Sequence, residues 1–259
     1  MPELPSVEIY KRYFDRKALK QRIISLEISN PEILVKTSPQ EMKKCLLGQM
    51  FVGSTRYGKY LFGELTDHTF LVMHFGMTGY LHYGSLNVSG HPRLVISFSN
   101  GKNLIFDDMR KFGKVSLTSD PEMFVNYKKL GPDALQVNLK TFLKAFQIRT
   151  GMIKPLIMNQ NLIAGIGNLY ADEILYQSRV HPLTPAHHLK LQDWERLFRE
   201  MKKVLNIAIK YQDRPGNLPS RFLLPHRYEG GTCPTGENVE IIKVGGRTTY
   251  ICPQQQKIK

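Results

Sequence analysis

The stretch LGPDALQVN, residues 130–138, decides the fold, because the sequence pattern changes across it. Before it, apolar residues occur in short alternating runs that are typical of strands, and from Leu139 onward they recur at helical spacing. Gly131, Pro132 and Asp133 favour a turn that continues neither pattern. We therefore predict an α+β multidomain chain, with residues 1–129 as one domain and residues 130–138 as a linker.

The N-terminal part has the signature of a sheet domain preceded by a helix. Val7, Tyr10 and Phe14 lie at helical spacing, and Asn100-Gly101 is a typical hairpin turn. This pattern predicts a β-sandwich, with a β-barrel as the alternative. The predicted strands lie in RIISLEIS (22–29), QMFVGSTRYGKYLFGEL (49–65), FLVMHFGMTGYLHYG (70–84), RLVISFS (93–99) and NLIFDD (103–108).

The C-terminal part has a helical pattern and then a final hairpin. We predict a helical domain at 139–222 and a hairpin domain at 223–259, joined by the short segment 212–231. Gly245-Gly246 is the predicted turn of the hairpin. The predicted helices lie in LKTFLKAF (139–146), IKPLIMN (153–159), ADEILYQS (171–178) and LQDWERLFREMKKVLNIAI (191–209), and the predicted strands in NVEIIK (238–243) and RTTYIC (247–252).

The charge balance points to a polyanionic partner. Lys and Arg number 36 against 22 Asp and Glu, a net charge of +14. Nucleic acid is the default partner of such a protein, and a solvated charged surface is the alternative. The sequence has neither an apolar run of about 20 residues nor a signal peptide. We therefore expect no membrane association and an intracellular location, in the cytoplasm or nucleoid.

The N-terminus offers a nucleophile. Removal of Met1 would leave a secondary amine on Pro2, and an α-amino group has a reference pKa of about 7.7 to 8.0, so part of it is unprotonated at neutral pH. Glu3 places a carboxylate next to it, and this pair is sufficient for imine chemistry on an electrophilic sugar carbon. Taken alone, Pro2 is better explained as a stiff start to the chain.

Six motifs together resemble the Fpg/Nei (formamidopyrimidine-DNA glycosylase / endonuclease VIII) family of DNA glycosylases. They are MPELP (1–5), RYGKYL (56–61), HFGMTG (74–79), DDMRKFG (107–113), IKPLIMNQ (153–160) and AGIGNLYADEIL (164–175), in the order and spacing of that family. The resemblance covers the whole chain. It implies a β-sandwich, a helix-two-turn-helix (H2TH) domain, DNA bound in the cleft between the halves, and a bifunctional glycosylase and abasic-site (AP) lyase of base excision repair. It implies no cofactor, and we expect a monomer.

The resemblance also implies a catalytic role for three residues. Pro2 matches the nucleophile that attacks C1′ of the damaged nucleotide and forms a Schiff base. Glu3 matches the catalytic acid and base. Lys59 matches the amine that contacts the flanking phosphates and assists proton transfer.

The other matched residues would bind double-stranded DNA that contains a damaged base or an abasic site. Apolar side chains and a guanidinium suit the space left by an extruded nucleotide, since the former support the unstacked step and the latter bonds the orphaned base. The residues matched to that task are Met77, Arg110 and Phe112. Glycines before a helix N-terminus form a natural phosphate site, and the residues matched to phosphate binding are Lys154, Gly165, Gly167 and Asn168.

The final hairpin resembles a zinc finger that lacks its metal. Only Cys233 and Cys252 remain where four zinc ligands are usual, and His226 would still leave the set one short. We therefore predict no zinc and, in a reducing compartment, no disulfide. The resemblance implies a zincless finger in which Arg247 contacts DNA. Apolar packing would then hold the hairpin, by Val239, Ile241, Ile242, Tyr250 and Ile251.

Two departures from the family pattern bear on activity. Ser6 stands where the family usually has Glu, which indicates either a helix N-cap or a changed pocket. Residues 212–231 are too few for the loop that grips 8-oxoguanine, so lesions that are extruded more easily are favoured: formamidopyrimidines, hydantoins, oxidised pyrimidines and abasic sites. The alternatives to a full glycosylase are a catalytically reduced protein that binds damaged DNA and an enzyme that is mainly an AP lyase.

Overall fold

A computed structural model describes residues 2–85 and 90–259 of the chain. The removal of Met1 therefore concerns a residue outside the described part. The chain divides into two compact units, Met1–Lys128 and Lys129–Lys259. The finer division of the second unit into a helical domain and a separate finger stays a prediction.

The first unit is a sandwich of two four-stranded antiparallel sheets. The first sheet has the strand order β1-β6-β7-β5 and the second β2-β3-β4-β8. The strands are β1 (Ile23–Ile28), β2 (Phe51–Tyr57), β3 (Tyr60–Leu65), β4 (Phe70–His74), β5 (Tyr80–Gly84), β6 (Pro92–Phe98), β7 (Asn103–Asp107) and β8 (Lys114–Thr118). The helices are α1 (Leu4–Lys17), α2 (Pro39–Leu46) and α3 (Pro121–Tyr127). The β-sandwich with an N-terminal helix is therefore confirmed.

Alternation along the strands puts apolar side chains between the sheets. Phe51 and Leu65 from one sheet and Phe98 and Phe106 from the other are all buried, as the two-residue period of a strand requires. Helix α1 closes this core, because Phe14 packs against Phe51 with ring centroids 4.8 Å apart. The predicted turn is present between β6 and β7, where the φ of +75° at Gly101 favours glycine.

The second unit combines helices with a hairpin. Its helices are α4 (Leu139–Phe146), α5 (Ile153–Met158), α6 (Asn168–Gln177) and α7 (Leu191–Lys210), and its strands are β9 (Glu240–Val244) and β10 (Arg247–Ile251). Trp194 of α7 is the centre of the helical core, and it packs on Phe142 and Phe146 of α4. Helices α5 and α6, with the turn between them, form the predicted helix-two-turn-helix motif within this helical part. Gly245 and Gly246 both have positive φ, as a two-residue hairpin turn requires.

Two expectations about local structure are wrong. Ser6 is not the N-cap of α1: Glu3 is, and the two residues form a capping box in which each side chain accepts the other's backbone N–H. In the hairpin, Ile241 does not pack inward, because its side chain is 40 % exposed. Tyr176, Leu223 and Val239 form the apolar cluster with the two cysteines.

The two cysteines of the hairpin form a disulfide, against the expectation of free thiols. Cys233 and Cys252 are bonded, with their Cα atoms 5.9 Å apart. Both side chains are buried among apolar neighbours, so the two sulfur atoms are held together away from solvent. The carboxylate of Glu237 lies within 4.8 Å of both sulfurs. Only after reduction of the disulfide would the two thiolates and this carboxylate give three metal ligands, where a structural zinc site needs four.

No helix within residues 2–85 and 90–259 is long and apolar enough to cross a membrane.

Candidate active site and nucleic-acid interface

The start of α1 carries the predicted catalytic carboxylate. Glu3 is completely buried, and its carboxylate accepts the backbone N–H of Ser6 at the first turn of the helix. The positive end of the helix dipole favours negative charge at this place. Pro2 is half-buried directly before it. The predicted amine and carboxylate are therefore held at one helix terminus, and the carboxylate is held away from bulk water.

The turn that carries Lys59 is tied to the same helix. Gly58 and Lys59 connect β2 to β3, and the φ of +53° at Gly58 favours glycine. Arg56 spans the gap to α1, because its Nε atom donates to the Glu8 carboxylate at 3.0 Å and its Nη1 atom to the Gly58 carbonyl at 3.1 Å. Glu8 lies about 8 Å along the helix from Glu3, at about 1.5 Å per residue. The turn that carries Lys59 is therefore fastened to the helix whose first turn holds Glu3.

His74, which was not predicted as a site residue, pairs across the sheet with Tyr60, the residue after Lys59. Burial and the positive charges of Lys59 and Lys128 lower the pKa of His74 to about 4, so its imidazole is neutral at physiological pH. Its Nδ1 atom accepts the backbone N–H of Gly76 at 3.3 Å, which leaves Nε2 to carry the proton. The signal that could have found it is the motif HFGMTG, where His74 begins the loop that contains Met77.

Met77, Arg110 and Phe112, the wedge residues, all project from the surface of the first unit. Met77 is 39 % and Phe112 51 % exposed, and the Arg110 guanidinium lies 5.0 Å from the Phe112 ring centroid. The loops that carry them touch, because a Cβ atom on Gly76 would lie 2.5 Å from the Phe112 backbone. The structure therefore brings together the three residues that the sequence predicts for the space left by an extruded nucleotide.

Asp108 organises the wedge residues and was not predicted. Its buried carboxylate accepts the N–H of Gly113 at 2.6 Å, the N–H of Arg110 at 3.3 Å and the hydroxyl of Thr78. Thr78 in turn accepts the N–H of Arg110 at 3.1 Å, and Arg93 holds the Asp108 carbonyl at 2.8 Å. One carboxylate thus fixes the loop on each side of Arg110 and joins it to the residue after Met77.

The H2TH turn departs from the expected phosphate site in two places. Lys154 is completely buried and its amine lies 2.6 Å from the Asp172 carboxylate, so the amine is directed into the protein, and the contact of Lys154 with the DNA backbone stays a prediction. The N–H of Gly165 is also taken, because it donates to Gln160 Oε1 at 2.9 Å. Gly165 is needed for its conformation, with φ of +117°.

Gly167 and Asn168 lie where the resemblance places them, at the N-terminus of α6. Gly167 is the N-cap and Asn168 the first helical residue. The Asn168 amide donates to the Thr248 carbonyl at 3.1 Å, and the amide group has a second N–H available for an acceptor. This geometry joins the helix terminus to strand β10.

The hairpin turn places Arg247 beside the end of α5. Arg247 is exposed at the start of β10, and a cleft of about 240 Å³ separates the turn from α5. Pro155, Met158 and Asn159 form one wall of this cleft, and Val244, Gly245 and Arg247 form the other. The predicted metal-free finger therefore presents its arginine on an open surface next to the H2TH helices.

Comparison with known proteins agrees with this architecture. The model of the Formamidopyrimidine-DNA glycosylase N-terminal domain matches residues 1–115, and that of the Formamidopyrimidine-DNA glycosylase H2TH domain matches residues 130–216. The chain is 34 % identical to the formamidopyrimidine-DNA glycosylase of Pelotomaculum thermopropionicum, over 100 % of both chains. It is 31 % identical to that of Arabidopsis thaliana, over 100 % of this chain and 71 % of the relative.

Solved structures give the same result. The complex of wild-type Lactococcus lactis Fpg with DNA containing N7-benzyl-Fapy-dG has a TM-score of 0.90 to this chain and 31 % identity, over 99 % of this chain and 100 % of the other. A complex of the same protein with DNA containing an abasic site has a TM-score of 0.89 and 32 % identity over the same shares. The chain belongs to the formamidopyrimidine-DNA glycosylase family.

Proposed function

We propose that Pro2, Glu3 and Lys59 carry out base release and strand nicking at oxidised bases in double-stranded DNA. The protein is a DNA glycosylase of base excision repair, and AP lyase activity is typical of its family. The observation that carries the proposal is the buried Glu3 carboxylate at the first turn of α1, directly after Pro2. We propose an intracellular location for this activity, in the cytoplasm or nucleoid.

In the proposed reaction, the Pro2 amine attacks C1′ of the damaged nucleotide and the bond from C1′ to the base breaks. Glu3 takes the proton that Pro2 loses and delivers it to O4′ as the C1′–O4′ bond breaks and the Pro2 iminium forms. The Glu3 carboxylate then takes a proton from C2′ while the 3′ phosphate leaves, and water hydrolyses the imine to release Pro2. Lys59 binds the flanking phosphate and supports these proton transfers. This sequence needs no cofactor.

The wedge residues and the second unit serve binding. Met77 and Phe112 replace the stacking of the extruded nucleotide, and Arg110 bonds the base left opposite. Asn168 and Arg247 bind the phosphate backbone, and Gly165 and Gly167 shape the turn between α5 and α6. The net charge of +14 makes this binding weaken with salt, as release of counterions requires.

The lesion preference follows from the short segment after α7. Residues 215–217 and 224–226 form single 3-10 turns, and the segment packs on α6, where Leu224 donates to Glu173 at 2.8 Å. We infer that formamidopyrimidines, hydantoins, oxidised pyrimidines and abasic sites are better substrates than 8-oxoguanine. The Ser6 hydroxyl is engaged in the capping box with Glu3, which favours the structural interpretation of that substitution.

The test is single-turnover nicking of duplexes that carry one lesion each, and of a duplex with a pre-made abasic site. Pro2→Gly is expected to lose both activities, and Glu3→Gln to lose base release more than nicking at the abasic site. Glu122→Gln, an exposed carboxylate on α3, is the control and is expected to behave as the unmodified protein. Nicking of the abasic duplex with every lesion left intact would favour an AP lyase, and no reaction on any duplex would favour a protein that only binds damage.

A further inference from the structure

We propose that Asp172 is a positioning residue, which sets the place of strand β10 and with it the side chain of Arg247. This proposal rests on the DNA contact of Arg247 proposed above. Asp172 lies on the second turn of α6, and its side chain is completely buried. Three groups from three parts of the chain converge on its carboxylate.

Two of these groups are cations. The Lys154 amine of α5 lies 2.6 Å from Oδ1, and the Arg227 Nε atom, from the segment before the hairpin, lies 2.8 Å from Oδ2. The third group is the backbone N–H of Tyr250 on β10, which donates to Oδ2 at 3.3 Å. Asp172 therefore connects α5, the segment before the hairpin and strand β10 through one carboxylate.

The two cations also hold the residues that follow Arg247. The Lys154 amine donates to the Thr249 hydroxyl at 2.7 Å, and this hydroxyl donates to the Arg247 carbonyl at 3.1 Å. The Thr248 carbonyl accepts from Asn168 at 3.1 Å and from Lys154 and Arg227 at 3.5 Å each. Every residue from 247 to 250 therefore has a hydrogen bond that leads back to the network around Asp172.

The disulfide and the apolar cluster around it lie too far along the hairpin to set the position of Arg247, and near the arginine it is the strand partner Val244 that is buried. A two-stranded hairpin alone is marginally stable in water, and the apolar cluster and the disulfide lie at its base, around Cys252. Cys252 is five residues from Arg247, which is about 16 Å along a strand at about 3.3 Å per residue. The network around Asp172 contacts the strand one to three residues from Arg247, so it controls the end of the hairpin that carries the arginine.

The charges of Asp172, Lys154 and Arg227 balance one another, so loss of one charge destabilises the arrangement of the other two. Burial raises the pKa of Asp172, and the charges of Lys154 and Arg227 counteract that effect. Removal of the negative charge leaves two cations near each other inside the protein, and an unpaired buried charge is strongly unfavourable. We expect Arg227, which also lies 4.5 Å from the Tyr250 ring centroid, to turn outward and to release β10.

The experiment compares Asp172→Asn, Arg247→Ala and the double variant. The matched control is Asp193→Asn, which removes a carboxylate that pairs with Arg196 on α7 and with Lys259. Among residues 2–85 and 90–259 it makes no hydrogen bond or ion pair with β9 or β10. Amide hydrogen exchange of residues 247–251 measures the strand directly. Affinity and steady-state nicking on a duplex with an abasic site measure the consequence for Arg247.

Asp172→Asn is expected to speed exchange at residues 247–251 and to weaken binding by roughly tenfold to a hundredfold, the range for one lost hydrogen bond to a charged group. KM should rise while kcat stays, because Pro2 and Glu3 are unchanged. The double variant should bind DNA no more weakly than Arg247→Ala, because both substitutions remove the same contact, that of Arg247 with DNA. The control should alter none of these.

Two results would overturn the proposal. One is exchange at residues 247–251 of Asp172→Asn that is no faster than in the unmodified protein. The other is a double variant whose loss of binding free energy equals the sum of the losses in Asp172→Asn and Arg247→Ala. An Arg247→Ala variant that binds normally would refute the DNA contact instead, while the exchange still tests the position of the strand. If Asp172→Asn fails to fold, Thr249→Val removes only the hydroxyl bridge to Arg247. It should give faster exchange at 247–251 and weaker binding, and unchanged exchange there would equally overturn the proposal.

Discussion

Glu173 makes the stability of the second unit depend on pH, and the size of the effect follows from its surroundings. Its carboxyl is buried on α6 and accepts hydrogen bonds from Gln177 at 2.7 Å and from the N–H of Leu224 at 2.8 Å. Burial outweighs these bonds and raises the pKa of Glu173 from 4.5 to about 7. The folded protein thus binds this proton more tightly than the unfolded chain does.

The free energy of unfolding should therefore fall as pH rises. The contribution of Glu173 is fully present below about pH 4.5 and is lost as pH approaches 7. The difference between the unfolded and folded pKa values of Glu173 corresponds to about 3 kcal/mol of unfolding free energy, at about 1.4 kcal/mol per pH unit. This is a large share of the 5 to 15 kcal/mol that stabilises a typical domain.

Glu173→Gln tests this value, because the amide cannot ionise and still offers an oxygen to Leu224. The variant should lose about 1 kcal/mol at pH 5 through its poorer bond to Gln177, and should exceed the unmodified protein at pH 8. Trp194, the one tryptophan of the chain, is buried in the same unit, so its fluorescence reports denaturant unfolding there.

Glu229→Gln, an exposed carboxylate of the segment before the hairpin, is the control. The free energy of unfolding of Glu173→Gln minus that of the unmodified protein should rise by about 3 kcal/mol between pH 5 and pH 8. The same difference for Glu229→Gln should not change with pH. A Glu173→Gln curve parallel to that of the unmodified protein would refute the reasoning.

Three further outcomes are expected. Arg110→Ala should slow base release more than nicking at a pre-made abasic site, measured on matched duplexes, because only base release needs the extruded state to be stabilised; equal losses would count against the wedge role. Cys252→Ser should lower the free energy of unfolding by about 3 kcal/mol, the value for a closed loop of this length, and dithiothreitol should have the same effect; insensitivity to both would show that the thiols are unpaired in solution. His74→Gln should lose less stability on acidification than the unmodified protein. The pKa of His74 is lowered from 6.5 to about 4, so its contribution to stability is present above about pH 6.5 and is lost as pH falls toward 4. A variant whose melting temperature falls with acid as steeply as that of the unmodified protein would contradict this.

Most of the fold could be predicted from the sequence, because each element has its own local pattern. The five predicted segments contain seven of the eight strands in the sandwich, although residues 49–65 and 70–84 each hold two strands that the pattern did not separate. The turns at Asn100-Gly101 and Gly245-Gly246 are where glycine predicts them. Strand β8 was missed because KVSLT is short and mixes polar with apolar residues. Helices α2 and α3 were not predicted, and α3 buries none of its residues, so it has no apolar stripe to indicate it. The signal for both was the N-caps Ser38 and Asp120, each followed by proline.

The candidate site was predicted in its residues but only partly in its contacts. Lys154 could be assigned to DNA by motif, but its partner Asp172 lies on another helix, and a pattern along the chain does not show that they meet. The disulfide likewise depends on the packing of Cys233 and Cys252 around Tyr176, which spacing does not reveal. Asp108 follows a strand like many turn residues, and only the three-dimensional loop shows what its carboxylate holds.

The measurement that tests the central claim most directly is the mass of the adduct trapped by borohydride on a duplex with an abasic site. Peptide mapping should find the sugar on a peptide that begins at Pro2, with Met1 absent. An adduct on Lys59 or another lysine, or trapping by protein that still carries Met1, would contradict the assignment of the N-terminal amine as the nucleophile.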